Sequence, residues 1–284
     1  RGCDPKKMLV SGMEVVERNN QMIGKGFSRI ESIDWPELMA FKRSYTEPFS
    51  ESFKKGVEES GIDAIEGSAR FIGDARIEVG EDVIEADAFV IATGQRPSIL
   101  NVEGKELLLT STDFLDMDEL PERMAFLGAG YIAFELAAIA NAAGSEVTII
   151  HHNDRPLKGF DAELVGSLVK AYEDKGIAFA FDVDVESISE EGQGFSVQGK
   201  IEGAQSYSEC FDCVVGATGR IPNVEALDLE NAHVEYDGHG IAADGFLQTS
   251  NPAIYAVGDV VAKKIPKLTP TASFEGAYLA RRIL

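Results

Sequence analysis

The 284-residue sequence predicts an α/β fold made of two similar three-layer halves. Three observations carry this expectation. A glycine-rich turn, Gly128-Ala129-Gly130-Tyr131-Ile132-Ala133, sits between an apolar strand and an apolar helix, and a second strand follows. The string ATG occurs twice, at Ala92-Thr93-Gly94 and Ala217-Thr218-Gly219, each time closing an apolar run. Short alternating runs punctuated by Gly67, Gly73 and Gly80 lie between Ile62 and Ile91.

In chain order, residues Asp4 to Asn19 read as a helix. Asp4 is placed to cap it, Pro5 suits its first turn, and Met8, Val15 and Val16 give it an apolar face. Pro48 to Ser60 reads as a second helix closed by Gly61. The runs IDAIEG, ARFIG, ARIEV, DVIEA and AFVIATG form an expected antiparallel meander that feeds a buried strand. Met124–Leu127, the helix to Ala143 and the strand Glu146–Ile150 make a compact βαβ unit, with Gly144 stopping the helix. A helix over about Asp161 to Lys175 ends at Gly176. Further strands reach Cys213–Gly219, a strand covers Ala253 to Val257, and a last helix starts near Thr271. Trp35 and Phe41-Lys42-Arg43 read as packing and surface.

An apolar fraction of 44% is enough for a sizeable core, so the net charge of −22 is read as a solvated acidic surface rather than disorder. That charge argues against nucleic acid and anionic membrane as partners. No run of about 18 apolar residues exists and no secretory leader opens the chain, while three cysteines do not make a disulfide scaffold. A reducing, cytoplasmic compartment is the expectation.

The glycine turn carries the most specific chemistry. Gly128 allows the tight bend, and Gly130 lets the backbone approach a pyrophosphate. That group would rest on unpaired amides at Tyr131 and Ile132, and Ala133 still permits close helix–strand packing. This is a Rossmann-like dinucleotide site. An NAD unit usually ends its second strand on an acidic residue; here the strand runs into His151-His152-Asn153-Asp154-Arg155-Pro156-Leu157-Lys158. The donors His152, Arg155 and Lys158 favour NADP, whereas Asp154 keeps NAD open. Cys3 stands at a helix start, where amides and the helix dipole favour a reactive sulfur, with Lys6 and Lys7 in the first turn. Cys210 and Cys213 form a CxxC in a run that reads as strand. Residues three apart on a strand face opposite sides, so these are expected to be core or half-buried thiols and no metal site.

The segment Gly2-Cys3-Asp4-Pro5-Lys6-Lys7 resembles the second half of the redox motif of the FAD-dependent pyridine nucleotide-disulfide oxidoreductases. This is the family of glutathione reductase, dihydrolipoamide dehydrogenase and mercuric reductase. The resemblance continues in order through ATG at Ala92, GAGYIAFE at Gly128–Glu135, GATGRIPN at Gly216–Asn223, NPAIYAVGD at Asn251–Asp259 and Leu268-Thr269-Pro270. It implies an NAD(P) domain over residues 113–222 inserted in an FAD domain formed by residues 1–112 and 223–284, both of the ββα three-layer type. It implies that Cys3 is the flavin-side sulfur, and that Lys6 sits near the reactive flavin nitrogen paired with Glu135. Tyr131 would cover the nicotinamide pocket. Asp259, next to Gly258, would bond the ribityl chain, the Thr269 backbone would meet the flavin pyrimidine edge, and Ala69 would touch the adenine. His152 and Lys158 fall where NADP-using members carry arginines, and Asp4 stands where relatives often have Val or Ile.

The resemblance also implies a longer protein. An FAD fingerprint and a partner cysteine five positions before Cys3 are expected upstream, and an interface domain downstream. The resulting expectation is a flavoprotein passing electrons from NAD(P)H through FAD to a cysteine pair, then to a small-molecule disulfide or related acceptor, as a homodimer when full-length. A single-cysteine oxidase, peroxidase or coenzyme A-disulfide reductase, and a non-catalytic dinucleotide-binding module, are the alternatives.

Overall fold

The computed structural model describes residues 2–29, 32–201 and 205–283. The chain gathers into two compact units, one of Arg1–Phe53 with Pro97–Gly219 and one of Lys54–Arg96 with Arg220–Leu284.

The first unit is organised by a five-stranded parallel sheet. Its spatial order is Leu109–Thr110, Cys213–Gly216, Arg123–Leu127, Glu146–Ile150, Ala178–Ala180. Strand side chains alternate between faces, and the central strand shows it. Met124 and Phe126 enter a core with Leu9, Trp35, Met39, Leu136 and Ile139. Ala125 and Leu127 enter another with Val183, Ile188, Val197 and Phe211. One face is therefore covered by helices Cys3–Met22, Trp35–Thr46 and Tyr131–Ala142. The other is covered by an antiparallel sheet of Val183–Glu191, Gly194–Ile201 and Gln205–Phe211. This is the three-layer α/β arrangement. Both faces of the parallel sheet are dry, which explains why its strands read as unbroken apolar runs. Burying a ring such as Phe126, fully excluded from solvent, contributes roughly 1.5–3 kcal/mol.

Local signals explain the element ends. Asp161 caps helix Ala162–Glu173 by accepting from the Glu163 and Leu164 amides at 3.0 and 3.1 Å. Helix Phe49–Glu59 ends before Gly61, which takes φ 78°.

Four expectations need correction. Asp4 lies inside helix Cys3–Met22, whose cap position is Gly2, so it does not cap it. That helix buries Pro5, Leu9 and Val10, while Val15 is exposed. The run IDAIEG forms no strand; only Ala69–Gly73, Arg76–Val79 and Asp82–Glu85 pair as the meander. Lys42 is not surface: it is 1% exposed on helix Trp35–Thr46 and donates to the Leu115 carbonyl and to Asp116 Oδ1.

In the second unit, strand Phe89–Ile91 pairs in parallel with Ile254–Ala256 as a two-stranded sheet separate from the meander. Phe71, Ile91, Leu229, Ile241, Ile254 and Val260 form its core. Helix Thr269–Ile283 closes it, two residues earlier than the sequence suggests.

Candidate functional site

The parallel sheet delivers its central strand into the glycine turn. Gly128 takes φ 101° and donates to the Ile150 carbonyl at 2.8 Å. A Cβ there would lie 2.7 Å from the Ala217 carbonyl oxygen, because Ala217 itself bonds the Leu127 carbonyl at 2.8 Å. The neighbouring strand thus forbids any side chain at Gly128. Gly130, the cap of helix Tyr131–Ala142, has open space where its Cβ would be, no side-chain cap and no acidic residue in the first turn. Its first amides are left facing outward with the positive helix end behind them. Ala133 is fully buried where the helix meets the sheet, Ile132 is half-buried and Tyr131 is 56% exposed. Without a neighbouring carboxylate or side chain, this cradle fits a pyrophosphate.

The loop after the second strand folds back to that turn: the Leu157 amide donates to the Ala129 carbonyl at 2.9 Å, with Leu157 at φ 47°. Asn153 organises the loop. Its Oδ1 accepts from the Arg155 amide and its amide nitrogen meets His152 Nε2, both at 2.8 Å. His152, Asp154, Arg155 and Lys158 are exposed. His151 is half-buried against His152, and burial pushes its imidazole below the ordinary histidine range, with the neighbouring His152 adding to the effect. A groove of about 420 Å³ opens beside the loop, lined by Arg155, Phe160, Val165, Val169, Lys170 and Phe181 among others.

Cys3 is the exposed first residue of helix Cys3–Met22, which packs on helix Tyr131–Ala142 in a shared core that takes in Leu9 and Val10. One turn in, Lys6 forms an ion pair with Glu135, one turn into the partner helix; the side chains are 17% and 33% exposed. The structure therefore brings together the helix that starts at the sulfur and the helix that starts at the glycine turn. Tyr172, which the sequence gave no reason to select, packs beside them. Its hydroxyl donates to the Phe134 carbonyl at 3.3 Å, and burial, with Glu17 and Glu135, pushes its phenol up to about 12.

The remaining candidates occupy tight turns. Thr218 and Gly219 follow strand Cys213–Gly216; Gly219 takes φ 128° and accepts from the Ser98 amide at 2.9 Å. In the second unit, Ala69 starts its strand half-buried opposite Val79. Ala92 is exposed; Thr93 Oγ1 donates to the Asn223 carbonyl at 2.7 Å, and Gly94 takes φ 67° and accepts the Asn223 amide at 3.0 Å. Gly258 and Asp259 form a single turn after Ile254–Ala256. The Gly258 amide donates to Glu275 Oε2 at 2.7 Å, and Glu275 pairs with Lys263. Thr269 is the exposed first residue of its helix. Glu275 and Lys263 were also missed from the sequence. A glutamate three residues after Ala272 and four before buried Leu279 was the available signal, because it falls on the apolar stripe.

The CxxC run breaks at Asp212, so Cys210 lies in strand Gln205–Phe211 of one sheet and Cys213 starts strand Cys213–Gly216 of another. Cys210 donates to Glu191 at 3.3 Å, and burial pushes the Cys213 thiol up to about 12, with Asp212 and Asp113 adding. Both sulfurs are free. Among the described residues, no helix is long and apolar enough to cross a membrane.

Residues 1–276 match the family model described as pyridine nucleotide-disulphide oxidoreductase. The chain is 35% identical over 282 residues to a glutathione reductase of Burkholderia cepacia, covering 99% of this chain and 62% of that protein. It is 33% identical over 289 residues to a mercuric reductase of Staphylococcus aureus, covering 100% of this chain and 52% of that protein. Among solved structures, it resembles a copper(II) complex of a mutant of the HOCl-induced flavoprotein disulfide reductase RclA from Escherichia coli. The TM-score is 0.85 at 24% identity, over 100% of this chain and 61% of that one, a likeness of fold. The chain spans 52% to 62% of the length of these two curated relatives.

Proposed function

The chain belongs to the pyridine nucleotide-disulphide oxidoreductase family, and on that premise we propose that it is the nicotinamide- and flavin-binding body of a disulfide reductase. Electrons would pass from NAD(P)H through FAD to a cysteine pair containing Cys3, and then to a small-molecule disulfide or related acceptor, with the intact protein a homodimer. The observation that carries the reading is the Lys6–Glu135 ion pair. It ties the helix beginning at an exposed sulfur to the helix beginning at an uncapped glycine turn, and a reductase needs both ends held in fixed relation.

A bound flavin supplies the two-electron exchange between a nicotinamide and a disulfide that side chains alone do not perform. The chain's own residues bind and orient. The turn at Gly128–Gly130 holds a pyrophosphate on backbone amides, and Tyr131, exposed beside it, covers the nicotinamide pocket. Glu135 holds Lys6 in place, so that an ammonium stands close to the sulfur helix and to any anionic ring beside it. Cys3 offers its exposed sulfur from the helix start. Asp259, whose carboxylate no described residue hydrogen-bonds, would accept from a ribityl hydroxyl, and the Thr269 backbone and Ala69 would hold the pyrimidine edge and the adenine. Arg155 and Lys158, with His152, supply donors for the extra phosphate of NADP.

Anaerobic titration of the intact protein with NADPH and with NADH tests this. A long-wavelength thiolate-to-flavin band is expected on reduction, and Cys3→Ser removes it; a band that survives the change removes Cys3 from the electron path. Replacing Arg155 and Lys158 together by Ala raises KM for NADPH about ten-fold, the scale of one charged hydrogen bond, and leaves NADH unchanged. Equal effects on both nucleotides refute the NADP assignment.

A further inference from the structure

Charged side chains converge on the turn that carries Asp259. Glu275 lies in the middle of helix Thr269–Ile283 on its apolar stripe, 8% exposed, one turn before Leu279 at 2%. A carboxylate is tolerated there only if its oxygens are matched. They are. Oε2 accepts from the Gly258 amide at 2.7 Å, and Lys263 Nζ reaches Oε1 and Oε2 at 2.7 and 2.8 Å, with both side chains of the pair 10% exposed. Gly258 takes φ 74°, and a Cβ on it would lie 3.4 Å from the Ala272 methyl, so turn and helix are in contact. On the other side Lys267 Nζ donates to the Asp259 carbonyl and to the His239 carbonyl, each at 2.9 Å. The amide that enters the dipeptide Gly258-Asp259 and the carbonyl that leaves it are therefore each held by a side chain.

We infer that Glu275 is a positioning residue: by taking the Gly258 amide, with Lys263 balancing its charge, it fixes the backbone that aims Asp259 at the flavin. This rests on the flavin reading proposed above. Among the described residues the carboxylate of Glu275 bonds the Gly258 amide and Lys263, so its effect on the flavin passes through the turn that carries Asp259.

The test is a double-mutant cycle read by FAD titration of the apo form of the intact protein, with thermal stability measured in parallel. Glu275→Leu raises the FAD Kd about ten-fold, the scale of one hydrogen bond to a charged group. Glu275→Gln keeps an oxygen for the Gly258 amide and shows a smaller loss; it carries the test if the Leu variant does not fold. In an Asp259→Asn background the same changes add less than about two-fold, because the group being aimed is gone. A purely structural glutamate would weaken FAD equally in both backgrounds, and that result overturns the inference, as does an unchanged Kd in the single variants. If Asp259→Asn weakens FAD while the Glu275 variants do not, the positioning role alone falls. If the intact wild-type protein binds no FAD, the flavin reading falls and takes this inference with it.

Discussion

Replacing Gly130 by Ala separates the role of the glycine turn in binding from its role in folding. Gly130 sits at φ −85° and ψ 175°, extended backbone that any residue adopts, and its Cβ position has no heavy atom within 4 Å. The folded state therefore accepts the methyl. Ala is the poorer cap but restricts the unfolded chain, and the two effects leave stability within about 1 kcal/mol of the parent. The open space is where a pyrophosphate must rest to reach the first-turn amides, so the methyl displaces it. A hydrogen bond to a charged group contributes about 1.5–3 kcal/mol, and each 1.4 kcal/mol is a decade, so losing one weakens dinucleotide binding about ten- to a hundred-fold. Gly128→Ala should do the reverse in its first effect. Its Cβ would meet the Ala217 carbonyl oxygen at 2.7 Å and carbon at 2.9 Å, both backbone atoms just past the end of the neighbouring strand Cys213–Gly216, at φ 101°. Strain and strand displacement together should cost about 2–4 kcal/mol. Urea unfolding and calorimetric titration with NADPH and NADH read both quantities on each variant. A Gly130→Ala protein that binds both nucleotides like the parent refutes the assignment of the helix start as the anchor.

Three further outcomes follow from the burial of charged and titratable groups. Lys42→Ala leaves the Leu115 carbonyl without its donor and opens a cavity in the helix layer, and should lower stability by about 2–4 kcal/mol in urea unfolding; a loss below about 0.5 kcal/mol contradicts the buried placement. At neutral pH a thiol reagent should modify exposed Cys3 in the native protein and Cys213 only on unfolding, since burial pushes the Cys213 thiol up to about 12; native modification of Cys213 at the rate of Cys3 would refute this. His151 is held below its ordinary range, so the unfolded chain takes up that proton first as pH falls. Its contribution to stability is complete above the unfolded pKa of about 6.5 and is lost as pH falls through the folded value. His151→Gln should flatten the slope of stability against pH in the window below about pH 6.5, and an unchanged slope there argues against the shift.

The parts legible in the sequence were those where local and tertiary forces agree. Strand Arg123–Leu127, the turn at Gly128 and helix Tyr131–Ala142 are buried on nearly every side, so unbroken apolar runs and glycines mark them directly. Helix Trp35–Thr46 was less visible, although Asp34 accepts from the Glu37 amide at 2.9 Å and Pro36 follows in the first turn. Its inner face contains Lys42, and a lysine reads as surface until the carbonyl that receives it is known. Glu275 is hidden for the same reason, since its amide and lysine partners are contacts made only in the fold. The run IDAIEG alternates like a strand, yet alternation does not supply a neighbouring edge. The break between Cys210 and Cys213 is set by Asp212, whose carboxylate takes the Arg123 amide at 2.9 Å and its guanidinium at 2.8 Å across 89 positions of chain. No local pattern encodes a partner that distant.

The helix that begins at Cys3 is pinned twice. Lys6 is tied to Glu135 near one end, and Glu17, eleven residues and roughly 16 Å further along, is tied to Lys175 just past helix Ala162–Glu173. A rod fastened at two points pivots about one when the other gives way, and these two fastenings stand about three turns apart. The outer fastening, 43% and 32% exposed, is the one salt loosens first, whereas the inner one, at 17% and 33%, is better shielded. Ionic strength should thus act on this helix as a hinge acts on a door, swinging the far end while the sulfur end keeps its post.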